Sequence, residues 1–166
     1  MQFLRDRKNT SVNDEDTILL SYDFQAGSYT DYVNQSAANM DMAKAKGRKF
    51  AEILKGLGAS SLMEVGVGEA TTLNFTLSHL KSLGASVPSF GFDISLSRLL
   101  FAEKFLREHG NKSQLFTATL GRIPLPESSV HAVYSCHSLE PNYGREKDIL
   151  REMLRVSSEF LVLVEP

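Results

Sequence analysis

Leu62-Met63-Glu64-Val65-Gly66-Val67-Gly68-Glu69-Ala70 is an apolar strand that closes on an acid and runs directly into a glycine turn. Glycines at 66 and 68 remove Cβ atoms that would hold a ligand off the backbone, and they permit the φ values of a sharp strand-to-helix turn. The stretch reads as a cradle for a nucleotide-like ligand first and as a fold element second. It sets the frame in which the rest of the chain is interpreted.

Outward from this turn, short apolar runs alternate with helical ones. Strands are expected at 61–65, 88–93, 113–118, 130–135 and 159–164, and helices at about 70–83, 96–109 and 144–155. Upstream, Met40, Ala43, Gly47, Phe50, Leu54 and Leu57 recur at three- and four-residue steps, which predicts a helix over 39–56 with Asn39 as its cap and Gly56 or Gly58 as its stop. The stretch from Tyr22 to Tyr32 is rich in aromatics but has neither period, and it reads as an ordered loop or short helical turns. Strands separated by helices imply a parallel sheet with right-handed crossovers. The runs at 130–134 and 160–164 lack clean alternation, as strands covered on both faces do. Ligands of such sheets bind beyond the carboxyl ends of the strands, so Glu64–Gly68, Asp93-Ile94, Ala118-Thr119 and Ser135–His137 converge on one edge.

The 166 residues, 42% hydrophobic and 23% charged, suit one globular domain. No stretch approaches the roughly 18 consecutive apolar residues of a membrane span, and the polar N-terminus is unlike a signal peptide, so no membrane association and a cytoplasmic location are expected. A single cysteine, Cys136, excludes an internal disulfide, and the histidines at 79, 109, 131 and 137 have no metal-ligand spacing, so no metal is expected. A net charge of −2 argues against general nucleic-acid binding. The cluster Lys44, Lys46, Arg48 and Lys49 is expected to form the wet face of its helix, and His79 and His109 to lie on the surface.

Asp93 ends its strand 25 residues after Gly68. A carboxylate at that tip can accept two hydrogen bonds from a ribose, and it can equally serve the helix that begins near Ser95. A nicotinamide-binding domain would also begin with strand, glycine turn, helix and acid. Its fingerprint needs Gly-x-Gly-x-x-Gly or Ala, whereas here Gly68 is followed by Glu69, Ala70 and Thr71, which puts the third small residue one position early.

These residues resemble the class I S-adenosylmethionine-dependent methyltransferases. Glu64–Ala70 matches the first motif, with Ala70 where a third glycine usually stands, and Phe92-Asp93-Ile94-Ser95 matches the acidic end of the second strand. Ile123–Ser135, His137–Pro141 and Glu152–Val156 look like the loop and fourth strand, the stretch after it and the next helix. The resemblance covers about residues 22–166 and is closest to the small-molecule, quinone-biosynthesis-like branch. It implies a Rossmann-like, doubly wound parallel sheet in three αβα layers spanning 39–166, with residues 1–38 as an N-terminal segment or lid.

By position, the resemblance places Glu64, Gly66 and Gly68 around the methionine and ribose portions of S-adenosyl-L-methionine, Asp93 on the ribose hydroxyls, and Ile94, Ala118 and Thr119 along the adenine. Ser135 and His137 would line the floor beside the transferring methyl, and Tyr29 would close over the cofactor. Two departures stand out: Thr119, a neutral acceptor where an aspartate is frequent, and His131, where an aspartate often opens the fourth strand. The family's sheet has seven strands, whereas this sequence stops as the fifth finishes. The last two strands are therefore expected to be absent, which implies either a truncated chain or an open edge covered by a partner such as a second copy.

Methyl transfer from a sulfonium needs alignment rather than a covalent nucleophile. Cys136 and His137 are adjacent in a segment read as extended, so they are expected to point to opposite sides and not to act as a pair. His137 is the candidate general base, with a loop hydrogen bond as its other reading, and Glu140 is either a substrate contact or a cap. The functional expectation is methyl transfer to a small-molecule acceptor. The alternatives are a noncatalytic cofactor-binding module and a nicotinamide-dependent oxidoreductase.

Overall fold

The strand at the glycine turn lies at the centre of a five-stranded parallel sheet of order β3-β2-β1-β4-β5. The computed structural model describes residues 1–9 and 12–166. Thr10 and Ser11, which fall within the segment expected as a lid, lie outside the described residues. The strands are β1 (Leu62–Val65), β2 (Ser89–Asp93), β3 (Gln114–Thr117), β4 (Val130–Cys136) and β5 (Ser157–Val164). All four pairings are parallel, and every residue of β1 is buried. Burial along most of β4 fits its lack of alternation, whereas β5, expected to be covered on both faces, is half-buried to exposed because it lies at the edge of the sheet. The expected doubly wound parallel sheet is the observed one.

Helices α4 (Ala37–Gly56), α5 (Thr71–Ser82) and α6 (Leu96–Glu108) cover one face, where Phe50, Leu54, Leu73, Leu77, Leu99 and Leu106 pack on Leu62, Ala132 and Tyr134. Helix α7 (Glu146–Val156) covers the other, packing Ile149, Met153 and Val156 on Met63, Val65, Phe92 and Val133. Gly47 lets α4 and α5 approach closely. A Cβ there would lie 2.4 Å from Cβ of Phe75 and 2.7 Å from the backbone nitrogen of Thr76.

The crossover from β3 to β4 contains no helix. Residues 118–129 run as turns tied to α7: Glu152 accepts the Ile123 N–H at 2.8 Å, and Arg155 donates to the carbonyls of Ile123 and Leu125 at 2.9 Å each. Glu152 and Arg155 also pair at 2.7 Å, and the guanidinium holds the Glu152 carboxyl below its ordinary value.

Most element ends shift by one or two residues from the sequence expectation, and two differences have a clear physical cause. Helix α4 starts at Ala37, because Ser36, in an extended conformation, accepts the Asn39 N–H at 3.1 Å and acts as the cap. The aromatic stretch read as loop or short turns forms two helices, α2 (Glu15–Phe24) and α3 (Ser28–Gln35), which follow α1 (Gln2–Lys8) and meet at Gly27 with φ +97°. Beyond β5 the sheet has no further strand among the described residues, and Leu163 and Val164 on that edge are 42% and 39% exposed. No helix among the described residues is long and apolar enough to cross a membrane.

Candidate functional site

The order 3-2-1-4-5 reverses direction between β1 and β4, and the crevice outside that switch point is where ligands of open α/β sheets bind. A cavity of about 340 Å³ lies there. It is bordered by the turn after β1, Ile94 after β2, Ala118 and Thr119 after β3, and Cys136, His137 and Ser138 after β4, with Ile18, Tyr22 and Tyr29 of the N-terminal helices over it. Four strand ends thus converge, as parallel pairing dictates.

Asp93 is 5% exposed and borders the cavity. Its Oδ2 accepts the Gly68 N–H and its Oδ1 the Ser95 N–H, each at 2.9 Å. Burial pushes this carboxyl above its ordinary value, only partly offset by Arg98, 3.9 Å away. Each oxygen uses one lone pair on the backbone and keeps capacity for another donor. Capping at Ser95 is served separately: the Ser95 hydroxyl accepts the Arg98 N–H at 3.2 Å and donates to Asp23 at 2.5 Å.

Gly66 and Gly68 both have positive φ, at +63° and +54°. The space their missing Cβ atoms leave is filled by the protein itself. A Cβ on Gly66 would lie 2.4 Å from Cβ of Ser138, and one on Gly68 would lie 2.4 Å from Nη2 of Arg98. Both glycines border the cavity, but their first use is to let the loop after β4 and α6 close on the turn. Close packing thus requires both glycines, in addition to any use as a cradle. Ala70 takes φ +57° and starts α5, so the position of the third small residue is left-handed as well.

Glu64 is 3% exposed and accepts the Tyr134 hydroxyl at 3.0 Å, while Lys46 borders the same cavity. Burial pushes the Glu64 carboxyl up to about 8, with Tyr134 and Lys46 opposing the shift. At neutral pH it is mostly protonated and can donate as well as accept. Lys46, read as part of a wet helix face, is exposed yet contributes a cation to this wall.

Glu69, which the sequence reading did not single out, anchors the N-terminal helices. Its carboxylate accepts the N–H groups of Gly27, Tyr29 and Thr30 at 3.1, 3.3 and 2.7 Å and the Thr30 hydroxyl at 2.9 Å. A negative group on the unsatisfied amides at the start of α3 is favourable through both hydrogen bonding and the helix dipole. Asn13 to the Pro141 carbonyl at 2.8 Å and Arg145 to Glu15 at 2.6 Å fasten the other side. Tyr29 borders the cavity with its ring centroid 4.7 Å from the guanidinium carbon of Arg98, which also lies 4.8 Å from the Tyr22 ring. Arg98 was missed too. Its only sequence signal is a basic residue on the inward face of the helix that follows Asp93.

After β4 the backbone turns at His137 with φ +56°, so the extended geometry assumed for Cys136 and His137 ends there. Both residues border the cavity. Burial, with Glu64 beside it, pushes the Cys136 thiol up, which disfavours the nucleophilic thiolate. His137 is exposed, its N–H donates to the Val164 carbonyl at 3.0 Å, and its imidazole has no hydrogen-bond partner among the described residues. Ser135 is fully buried and does not reach the cavity. Its hydroxyl meets Ser138 at 2.7 Å and Glu165, and Glu165 also accepts the N–H groups of Ser138 and Leu139 at 3.2 and 3.1 Å. Ser138 is the serine on the wall. At the opposite strand ends His131 accepts the Ser60 N–H through Nδ1 at 2.9 Å, an acceptor's task that an acid could also perform.

The chemistry of these groups fits S-adenosylmethionine. Asp93 offers acceptors for ribose hydroxyls, Ile94 and Ala118 an apolar border, Lys46 a cation for a carboxylate, and the cavity volume lies within the range of small-molecule sites.

Neither a family model nor a curated protein matches the sequence. Solved structures do match. They include an S-adenosylmethionine-dependent methyltransferase from Aquifex aeolicus (19% identity, 69% of this chain and 62% of that one, TM-score 0.57). A second is described as a putative S-adenosyl-L-methionine-dependent methyltransferase from Methanococcus maripaludis (16% identity, 74% and 58%, TM-score 0.57). A third is described as a putative methyltransferase from Bacillus halodurans (17% identity, 63% and 44%, TM-score 0.55). The chain spans less than two thirds of the length of each. At these identities the likeness is one of architecture: the chain has the fold of the class I S-adenosylmethionine-dependent methyltransferases.

Proposed function

We propose that this chain binds S-adenosyl-L-methionine and transfers its methyl group to a small-molecule acceptor. The observation that carries the reading is Asp93, a buried carboxylate at the carboxyl end of β2 that borders the same cavity as the Gly66–Gly68 turn. In this reading Asp93 holds the ribose, Ile94, Ala118 and Thr119 border the adenine, and Glu64 with the backbone at Gly66 and Gly68 receives the methionine portion. Lys46 supplies a countercharge to the carboxylate of that portion. Residues 1–38 act as a lid on a domain spanning 39–166, with Tyr29 over the cofactor. Ser135 acts from beneath, by holding Ser138. The proposed setting is cytoplasmic, and the open edge of β5 is where a second copy would pair.

The sulfonium brings an already activated methyl group. The chain's own part is to align the acceptor and exclude water, effects that can contribute about 7–11 kcal/mol. His137, exposed at the mouth, is the group proposed to take a proton from the acceptor.

Titration calorimetry with S-adenosylmethionine and S-adenosylhomocysteine tests the reading. Binding to the wild type is expected, weakened tenfold or more by Asp93→Asn; no heat with either compound refutes it. Fluorescence titration with a reduced nicotinamide cofactor should give no change.

A second reading, a noncatalytic cofactor-binding module, is favoured by the unpartnered His137 imidazole, since a general base is ordinarily oriented by a neighbour. Formation of S-adenosylhomocysteine across a panel of hydroxyl, amine and carbon acceptors separates the two.

A further inference from the structure

Arg98 is the one buried side chain on the cavity wall that, among the described residues, leaves a buried polar atom without a partner. It is 7% exposed, and its side chain makes no hydrogen bond among the described residues, its Nε being buried without a partner. Glu69 and Asp93 each approach it only to 3.9 Å, beyond hydrogen-bond reach. Its guanidinium is instead held by ring faces, Tyr22 at 4.8 Å and Tyr29 at 4.7 Å, and it lies against Gly68. A buried guanidinium with five donors is ordinarily bonded, and leaving buried donors unpaired is costly. Two tyrosines and a glycine fix this one in place without using its donors, beside the carboxylate that the preceding reading gives to the ribose.

The charges around it decide which ligand atoms it would meet. Two carboxylates at 3.9 Å leave the local sum at −1, so an incoming phosphate or carboxylate would meet two like charges, Asp93 and Glu69, against the single opposite charge of Arg98. A neutral vicinal diol has no such conflict. Each hydroxyl carries a proton to give and lone pairs to receive with, and Asp93 and Arg98 supply the acceptor and the donor.

We propose that Arg98 is a specificity-determining residue that reads the ribose diol jointly with Asp93, donating to the hydroxyl oxygens whose protons Asp93 accepts. The inference rests on the cofactor reading above. It also assigns a use to the two tyrosines: they hold a reader's plane in register, so that closure of the N-terminal helices completes the sugar site.

Calorimetry with S-adenosylhomocysteine and its 2′-deoxy and 3′-deoxy counterparts tests this on the wild type, Arg98→Met and Arg98→Lys. The wild type should prefer the ribo compound by tenfold or more. Arg98→Met should lose about tenfold for the ribo compound and nothing for the deoxy ones, which erases the preference. Arg98→Lys, which keeps the charge and loses the fork, should erase most of it and keeps the test open if Arg98→Met does not fold. Equal weakening of ribo and deoxy ligands in both variants would overturn the proposal in favour of a purely structural arginine. Tighter wild-type binding of a 2′-phosphorylated counterpart, lost in Arg98→Met, would overturn it in favour of an anion site. No heat with any adenosyl compound would overturn the cofactor reading itself, and this inference with it.

Discussion

Removing the Glu69 carboxylate should release α3 while leaving the sheet intact. In Glu69→Ala the N–H groups of Gly27, Tyr29 and Thr30 and the Thr30 hydroxyl lose their common acceptor. Hydrogen bonds to a charged group contribute about 1.5–3 kcal/mol each. The Thr30 hydroxyl also reaches the Gly27 carbonyl at 3.0 Å, so counting only the Thr30 and Gly27 N–H groups, at 2.7 and 3.1 Å, and taking the lower figure gives about 3 kcal/mol. That corresponds to roughly 150-fold in the ratio of undocked to docked α3. Hydrogen exchange followed by mass spectrometry reads this directly. Amides of 28–35 should exchange about 150-fold faster in the variant, those of α5 and β1 should be unchanged, and Glu69→Gln, which keeps one acceptor oxygen, should fall between. A change below threefold in α3 would refute the anchoring argument. An equal acceleration in α5 and β1 would show that Glu69 stabilises the whole domain instead of the docking of α3.

Three further outcomes follow from the packing and the charges. Gly47→Ala gains about 1 kcal/mol of helix propensity but drives a methyl to 2.4 Å from Phe75, so thermal unfolding should show a net loss of about 1–2 kcal/mol despite the better helix former. Gly66→Ala combines a left-handed φ of +63° with a 2.4 Å approach to Ser138, and denaturant melts should show a loss of about 2–4 kcal/mol. Glu64, raised to about 8 in the folded state from an ordinary value of 4.5, is favoured in its protonated form by folding. Its contribution is fully present below pH 4.5 and is lost as pH rises through 8. The melting temperature should therefore decline across that window more steeply in the wild type than in Glu64→Gln, and parallel profiles would contradict the assignment.

The parts of the fold that the sequence displays are those set by neighbours in sequence. The apolar runs of β1 and β4, the three- and four-residue steps of α4, and the glycine turn each carry their signal within about a dozen residues, and the structure places them as expected. Helices α2 and α3 gave no such signal. Phe24 is 92% exposed, and Tyr22 and Tyr29 face a cavity in place of the core, so their aromatics obey no core-facing period. What orders α3 is Glu69, some 40 residues downstream, which no local window contains. The serine after β4 was misplaced for a related reason. Without the left-handed turn at His137, nothing showed that Ser138 would reach the wall and Ser135 would support it from below. The glycines were legible as necessary, but the side chains that require them, Ser138 and Arg98, are brought to them only by tertiary packing.

The adjacency of Glu69 to Gly68 has a kinetic consequence. The residue that holds α3 down is covalently next to Gly68 and itself borders the cavity, so under the proposed reading ligand exchange would be gated by an electrostatic contact at the cavity wall. If the N-terminal helices cover the cofactor as proposed, residence time would become a property of their undocking. Under that reading the cofactor would enter before the helices settle and the demethylated product would leave after they lift. Substitution at residue 69 would then change the rate of ligand exchange by releasing α3 and, with it, Tyr29.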